Sequence, residues 1–516
     1  MYKLGIDVGG TNTDAVLIND KLEVVADVKH PTTEDVYDGI LCAIRAVLEQ
    51  SGVDRSQITQ AMLGTTQCTN TIVERKQLAK IGLVRIGAPA TAGIPPMVDW
   101  PEDIQAVVLE SVIIGGGFEF DGKELAPLDL DAARDFFTRM KGRVNSIAIS
   151  CAFSTIRSDH ELEVARLCRE VMGNGVHISI SSEIGSMGLI ERENAAILNA
   201  ALYQVAERFT EGFARSLADE GITNAEIYLS QNDGTLMTME HARKYPILTI
   251  ACGPTNSIRG ASYLSRIKNA VVIDVGGTTT DFGVIQNGFP RESSVAVTIG
   301  GVRTNFRMPD IVSIGLGGGS IVREHPDGSI TVGPDSVGYR IGTEALVFGG
   351  SVITATDVAV RLGMADIGDP ALAASIDEEF ARKTMVVIRA MVEDNIDSMK
   401  ISNEDIEVVL VGGGAVILPG ELAGASRVLN PPHSGCANAI GSAISKVSGN
   451  YEQHIDYDVL PREQALEQAR AEAIQLAVRA GAIESTVEII EVEDVPLAYY
   501  PGHTSRVKVK AAGDLA

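Results

Sequence analysis

Short apolar runs alternate with amphipathic stretches through the first half of the chain. Tyr2–Ile6 and Ala15–Ile18 are apolar runs of strand length, and Leu22–Val28 continues them. Val36, Ile40, Ile44, Val47 and Leu48 recur at helical spacing and predict a helix over 36–51. Ala61–Leu63 predicts a short strand, followed by a helix from about Cys68 to Arg75 and another strand at Leu83–Ile86. Residues 87–103 are rich in proline and glycine and read as an ordered loop or small lobe. Val107–Gly117 reads as a strand entering a glycine turn, 131–141 as a helix, 146–150 as a buried strand and 159–172 as an amphipathic helix. The longest helical pattern runs from Ile190 to Leu217. A strand at Ile227–Ser230 precedes the turn signal Asn232-Asp233-Gly234, and a helix opens at Ala251–Asn256.

The second half alternates in the same way. Strands are predicted at Ala270–Ile273, Phe282–Ile285 and Val408–Val411, a long helix at 375–399, and a helix of small residues at 438–446. Ile314–Ser320 reads as a glycine-rich anion-type loop, and 330–350 is rich in turns. From Tyr451 the composition changes: a charged helix at 462–480 precedes strands at 487–492 and 505–510.

One phrase occurs twice. Ile6-Asp7-Val8-Gly9-Gly10-Thr11-Asn12-Thr13-Asp14 returns as Ile273-Asp274-Val275-Gly276-Gly277-Thr278-Thr279-Thr280-Asp281, and only Asn12 against Thr279 differs. Each copy joins two apolar runs, so each reads as a β-hairpin with a Gly-Gly-Thr turn and an acid at the end of its first strand. Adjacent glycines let backbone N–H groups approach an anion closely, and the threonine hydroxyls add donors. A carboxylate has the wrong sign to touch phosphate, so Asp7 and Asp274 read as holding Mg²⁺ or its waters. Two such hairpins far apart in sequence suggest two similar domains facing one ligand. About 140 residues after the second hairpin, a buried strand runs into Gly412-Gly413-Gly414, a turn flat enough to lie against a planar ring such as adenine.

Composition narrows the alternatives. The chain has 516 residues, enough for three or four domains. Its formal charge of −25 argues against nucleic acid or an anionic membrane as a partner. It leaves ATP open, since phosphate is held by backbone N–H groups and Mg²⁺. The six cysteines are scattered with no CxxC pair, which fits reduced cytoplasmic thiols better than disulfides or zinc. Cys68 and Cys252 lie near the proposed site loops, with buried structural roles favoured over nucleophilic ones. The first residues run directly into a strand, so no signal peptide is expected, and no apolar run reaches membrane-spanning length.

One hairpin per domain with a late triple glycine resembles the actin, sugar kinase and heat-shock chaperone ATPase superfamily. Further stretches resemble the ATP-binding A-type subunits of the hydantoinase/oxoprolinase family. These are Leu63-Gly64-Thr65-Thr66-Gln67-Cys68-Thr69-Asn70, Ser313–Ile321, Thr331–Gly338, Thr354-Ala355-Thr356-Asp357 and Gly253-Pro254. Together they cover most of residues 1–450. Leu63 stands where the family has histidine, and 341–350 departs from the family's pattern.

The resemblance implies an α/β fold with two duplicated actin-like ATPase domains, a mixed β-sheet, a nucleotide cleft between them and a small C-terminal α+β appendage. The domains are expected at 1–190 with an inserted lobe near 87–135, at 191–269 as a connecting helix and central segment, at 270–450 with a return helix, and at 451–516. It implies ATP and Mg²⁺ as cofactors and phosphorylation of the carbonyl oxygen of a cyclic amide or related carbonyl. A companion B-type hydrolase subunit and a homo-oligomer are expected partners. Asp7, Asp274 and Asp357 are the catalytic candidates, with Asp357 alternatively a helix cap. Asp7 and Asp274 are the metal candidates. Phosphate and nucleotide contacts are expected from Gly9, Gly10, Thr11, Asn12, Thr13, Thr65, Thr66, Gly276, Gly277, Thr278, Thr279, Thr280, Gly317 and Gly318, with Gly412, Gly413 and Gly414 at the adenosine. Asn194 and Asn199 are cleft-facing or core residues. A small-molecule kinase, a carboxylase subunit and an ATP-driven dehydratase reactivase remain as alternatives.

Overall fold

The computed structural model describes every residue except 33–35, 294–296, 307, 498–501 and 516. Two sheets of the same design organise the chain. In the first, Glu226–Ser230, Ile58–Thr65 and Tyr2–Val8 run parallel, and Asn12–Asn19 and Val24–Pro31 follow antiparallel. In the second, Ala425–Leu429, Ile406–Val411 and Ala270–Val275 run parallel. Thr280–Gln286 follows antiparallel, with Phe289–Pro290 and Ile311–Ile314 paired to it. The repeated phrase therefore occupies the same place in two copies of one topology. Asp7 pairs with Asp14 across the first hairpin, and Asp274 with Asp281 across the second.

The central strands are buried on both faces. Leu4, Ile6, Val16 and Ile18 are all inaccessible to solvent, as are Val271, Val272 and Ile273. Continuous apolar runs rather than alternation are what such strands require. One helix, Cys252–Ser265, packs on the second sheet, and another, Ala437–Ile444, packs on the first. These two helices cross, and their backbones meet through glycine. A Cβ on Gly260 or Gly441 would lie well inside van der Waals contact of Ala437 or Asn256 backbone. The two domains are thus joined through a crossing that admits no side chain at those points.

A lobe is inserted between Ile58–Thr65 and the 31-residue helix Leu189–Asp219. It is a four-stranded parallel sheet in the order Val108–Gly115, Ile81–Ala88, Ser146–Cys151, His177–Ile180. Helices Leu130–Met140 and Asp159–Met172 pack together against its core. The long helix covers it from Ser146–Cys151 and His177–Ile180. The strands of the lobe sheet run from Ile81 to Ile180. Its later strands have the same buried βα pattern as a main domain, so periodicity does not separate them.

Residues 451–516 combine helix Arg462–Arg479 with two strands, Glu488–Pro496 and Thr504–Gly513. These strands do not form a sheet of their own. Lys446–Asp456 pairs with Thr235–Thr238, and the first domain's sheet grows to nine strands. Ala465, Ala469, Ala473 and Ala477 form the buried stripe of the helix. Two buried lysines anchor this end: Lys508 reaches Glu292 of the second domain at 2.8 Å, and Lys510 reaches Glu292 at 3.2 Å and Asp233, in the turn before Thr235–Thr238 of the first sheet, at 3.0 Å. Among the described residues no helix is long and apolar enough to cross a membrane.

Candidate active site

The two hairpin turns have the same geometry. The Gly9 N–H donates to the Asn12 carbonyl at 3.0 Å, and the Gly276 N–H to the Thr279 carbonyl at 2.9 Å. Their tips face each other: a Cβ placed on Gly277 would stand 3.2 Å from Thr11 Oγ1. Gly10 and Thr279 are exposed at these tips, with Gly9, Thr11, Asn12, Gly276, Gly277 and Thr278 half-buried.

Beneath the tips lie the acids. Asp7 accepts from Asn438 Nδ2 at 2.9 Å and from Asn256 Nδ2 at 3.4 Å. Asp274 accepts from the Ser257 hydroxyl. Asp14 is held by Lys29, whose Nζ lies 2.6 Å and 2.7 Å from its two carboxylate oxygens. Burial, then the neighbouring Asp14 and Asp274, pushes the Asp7 carboxyl up to about 7. Burial also raises Asp274, against the Ser257 hydrogen bond and the Lys29 charge. Asp281, paired with Asp274 and accepting from Ser313, is pushed up to about 7, chiefly by burial.

The cleft floor is built from positions where only glycine fits. A Cβ on Gly64 would collide with Asp7 Oδ1 and Asn256 Nδ2. One on Gly412, whose φ is +86°, would collide with Asp274 Oδ1 and the Val275 carbonyl. The Gly414 N–H donates to the Val275 carbonyl at 2.8 Å, which fixes the triple glycine against the second hairpin. Gly413 is exposed, and a Cβ on it would lie 3.6 Å from Lys29 Cε. Lys29 therefore lies between an acid of the first domain and the glycine turn of the second.

The acids fit a cation. Asp7, Asp14 and Asp274 influence one another electrostatically, with Lys29 as the compensating charge. The buried Asn256 Oδ1, beside Asp7, has no hydrogen-bond partner, and an unpartnered acceptor there suits a metal ion's water. Among the described residues no three His, Cys, Asp or Glu side chains converge as a metal cage. A Mg²⁺ ion here would take its remaining ligands from phosphate and water, as is usual for this ion.

Several of the expected contact residues have their polar groups already engaged within the protein. Gly317 and Gly318 are buried, and their N–H groups are engaged, Gly317 with Ser320 Oγ at 2.8 Å and Gly318 with the Gly276 carbonyl at 3.0 Å. They brace the second hairpin from behind and leave no donor for phosphate. Thr280 is buried with its hydroxyl donating to the Leu316 carbonyl at 2.7 Å, and Thr13 is buried beside Thr32. Thr65 is buried and accepts from the Gln67 N–H, and the Thr66 hydroxyl donates to the Val8 carbonyl.

Asp357 is fully buried. One oxygen accepts from the Val347 N–H and the other from the Thr354 N–H and hydroxyl, each at 2.7 Å. It completes the capping box of helix Ala355–Arg361, with Thr354 as the N-cap, the helix-cap alternative for this residue. Asn194 bridges Trp100 and the Arg303 carbonyl, and Asn199 bridges Ser179, Lys244 and Ile247, so both are core residues. Cys68 and Cys252 are buried, and burial pushes both thiols up, Cys68 to about 12. Such burial disfavours the thiolate at neutral pH. Lys29, Asn256, Ser257 and Asn438 carried no sequence signal of a site role.

Two domains of one topology, each with a glycine hairpin, closing on a shared set of acids, define an actin-like ATPase fold. The chain matches the hydantoinase/oxoprolinase N-terminal region over residues 3–172 and hydantoinase/oxoprolinase over residues 192–399. It belongs to the hydantoinase/oxoprolinase family. It is similar to caprolactamase subunit alpha from Pseudomonas jessenii, 27% identical over 70% of this chain and 54% of that one. It is also similar to the acetophenone carboxylase gamma subunit from Aromatoleum aromaticum, 26% identical over 70% of this chain and 53% of that one. The chain thus spans about half the length of these two relatives. The crystal structure of ATP-dependent caprolactamase from P. jessenii shares the fold, with a TM-score of 0.79 and 21% identity over 100% of this chain and 88% of that chain.

Proposed function

We propose that this chain uses Mg·ATP to activate a cyclic amide by phosphorylating its carbonyl oxygen, and that a companion subunit completes ring opening. The observation that carries this reading is the placement of Asp7 and Asp274 at equivalent positions of two like hairpins, under two glycine turns that face each other. Similarity to a caprolactamase subunit supports the cyclic amide as the chemical class. An amide oxygen is a poor leaving group, and converting it to a phosphate ester opens the carbon to water.

In this reading Asp7 and Asp274 hold the metal ion that neutralises phosphate charge. The backbone of Gly10 and of Gly277–Thr279 at the hairpin tips receives the phosphates, and Gly412–Gly414 receives the adenosine. Lys29 holds Asp14 and adds a positive charge beside Gly413. Asn256, Ser257 and Asn438 orient the carboxylates. Catalysis of this kind is mainly alignment and charge stabilisation around the transferred group.

A second reading is favoured by the similarity to a carboxylase subunit. There the activated oxygen would belong to a ketone, and a companion subunit would form a carbon–carbon bond. The test is phosphate release by the purified chain with Mg·ATP across lactams, hydantoins, cyclic imides and ketones, with and without the protein encoded beside it. Stimulation by one cyclic amide supports the first reading. Stimulation by ketones alone replaces it with the second, and no stimulation under any condition contradicts both.

A further inference from the structure

The two hairpins share sequence, topology and register, yet they differ in the strand beside them. In the first domain the neighbouring strand, Val24–Pro31, sets Lys29 opposite Asp14. In the second the neighbouring strand, Ile311–Ile314, sets Ser313 opposite Asp281. The acid that ends the repeated phrase is therefore held by a lysine in one copy and by a hydroxyl in the other. Only one residue of the phrase changes between the copies, so this exchange is the larger chemical difference between the two halves of the cleft.

Lys29 is placed firmly. Thr32, three residues on, donates from its hydroxyl to the Gly9 carbonyl at 2.9 Å and from its N–H to the Thr11 carbonyl at 2.9 Å. These bonds pin the end of the strand to the first glycine turn. On the other side lies the second domain, where a Cβ on Gly413 would stand 3.6 Å from Lys29 Cε. The ammonium thus stands between the glycine hairpin of one domain and the triple glycine of the other.

An ammonium carries three N–H donors. Two of them meet Asp14 Oδ1 and Oδ2, at 2.6 Å and 2.7 Å. Lys29 Nζ has no further acceptor among the described residues. The Asp14 side chain is 2% exposed and the Lys29 side chain 33%. The carboxylate therefore lies behind and the ammonium in front, open to solvent, with one donor to give. A compact ammonium with a spare donor suits a phosphate oxygen.

We propose that Lys29 binds the phosphate chain of the nucleotide, keeping Asp14 as its anchor, so that the cleft holds a nucleotide far more tightly than the bare nucleoside. The identity of the ligand rests on the proposed function above; the spare donor and the inequality of the two hairpins rest on the fold alone.

The test is calorimetric titration of ADP and of adenosine, with Mg²⁺ present, into wild type, Lys29→Met and the double variant Lys29→Met with Asp14→Asn. Lys29→Met leaves the buried Asp14 without its cation, whereas the double variant removes both charges together. Thermal unfolding shows which variants are folded. The expected result is ADP affinity weakened about tenfold or more in both variants, with adenosine within about twofold of wild type. Recovery of wild-type ADP affinity in the double variant overturns the assignment, since Lys29 would then only neutralise Asp14. An equal loss for adenosine also overturns it. If Lys29→Met fails to fold, or adenosine does not bind wild type, ADP binding by the double variant decides alone. Wild type that binds no ADP overturns the proposed function along with this assignment. Wild type that binds ADP, with variants that bind it equally well, overturns the assignment only.

Discussion

Asn256 and Ser257 are consecutive on the helix Cys252–Ser265, yet they donate to carboxylates of different domains, Asn256 to Asp7 and Ser257 to Asp274. One step along a helix thereby sets the relative position of both acids. The Asn256 hydrogen bond holds the Asp7 carboxyl below the value that burial alone would give. Asn256→Ala removes that bond and raises Asp7 further. On the proposed reading Asp7 is ionised to hold Mg²⁺, and the acidic limb of kcat/KM for ATP then moves to higher pH in this variant. A pH–rate profile with an unmoved limb would count against Asp7 as the metal residue.

The glycine floor gives a sharper steric prediction. Gly412→Ala forces a side chain into the left-handed region and against Asp274. We expect a loss of about 1–3 kcal/mol in stability, with weakened Mg·ADP binding. Urea unfolding and an ADP titration check both. Unchanged nucleotide affinity in a folded variant would separate the triple glycine from the site.

Asp357 separates a structural role from a catalytic one. Asp357→Asn places an amide donor where three protein donors converge. The cost is about 1–3 kcal/mol, while kcat per folded molecule stays within about twofold of wild type. Thermal unfolding beside steady-state turnover tests this, and a large fall in kcat at intact stability would restore the catalytic reading.

Asp281 predicts a pH signature in stability. Its carboxyl is raised by burial from 3.8 to about 7, so the folded state binds the extra proton between those values. Its contribution is fully present below about pH 3.8 and is lost as pH rises toward 7. Asp281→Asn carries no such titration. The stability of wild type relative to this variant should therefore fall from pH 5 to pH 7 and level off above that. A constant difference across the range would contradict the raised value.

The parts legible in the sequence are those written in contiguous residues. The repeated phrase marks both hairpins because glycine, threonine and aspartate at that spacing do the same work in each copy. The residues that complete the site are not contiguous with it. Asn256 and Asn438 reach Asp7 from 249 and 431 positions away, and no local pattern records such a pairing. Gly317 and Gly318 look like a phosphate loop from composition alone, but whether a glycine N–H is available depends on the backbone packed against it. The C-terminal strands read as a separate unit because their tie to the first sheet is a two-residue pairing, Thr235 with Lys446 and Leu236 with Val447. The lobe's limits were hidden for a related reason, since βα units inside and outside it share one hydrophobic period.

The central claim is that a metal ion held by Asp7 makes nucleotide turnover possible. The most direct measurement is Mg-dependent phosphate release from ATP by wild type and Asp7→Ala, in the presence of the most stimulating cyclic carbonyl compound, with circular dichroism as the control for folding. The account predicts a loss of at least about 100-fold in a variant that remains folded. Turnover equal to wild type in folded Asp7→Ala would contradict it.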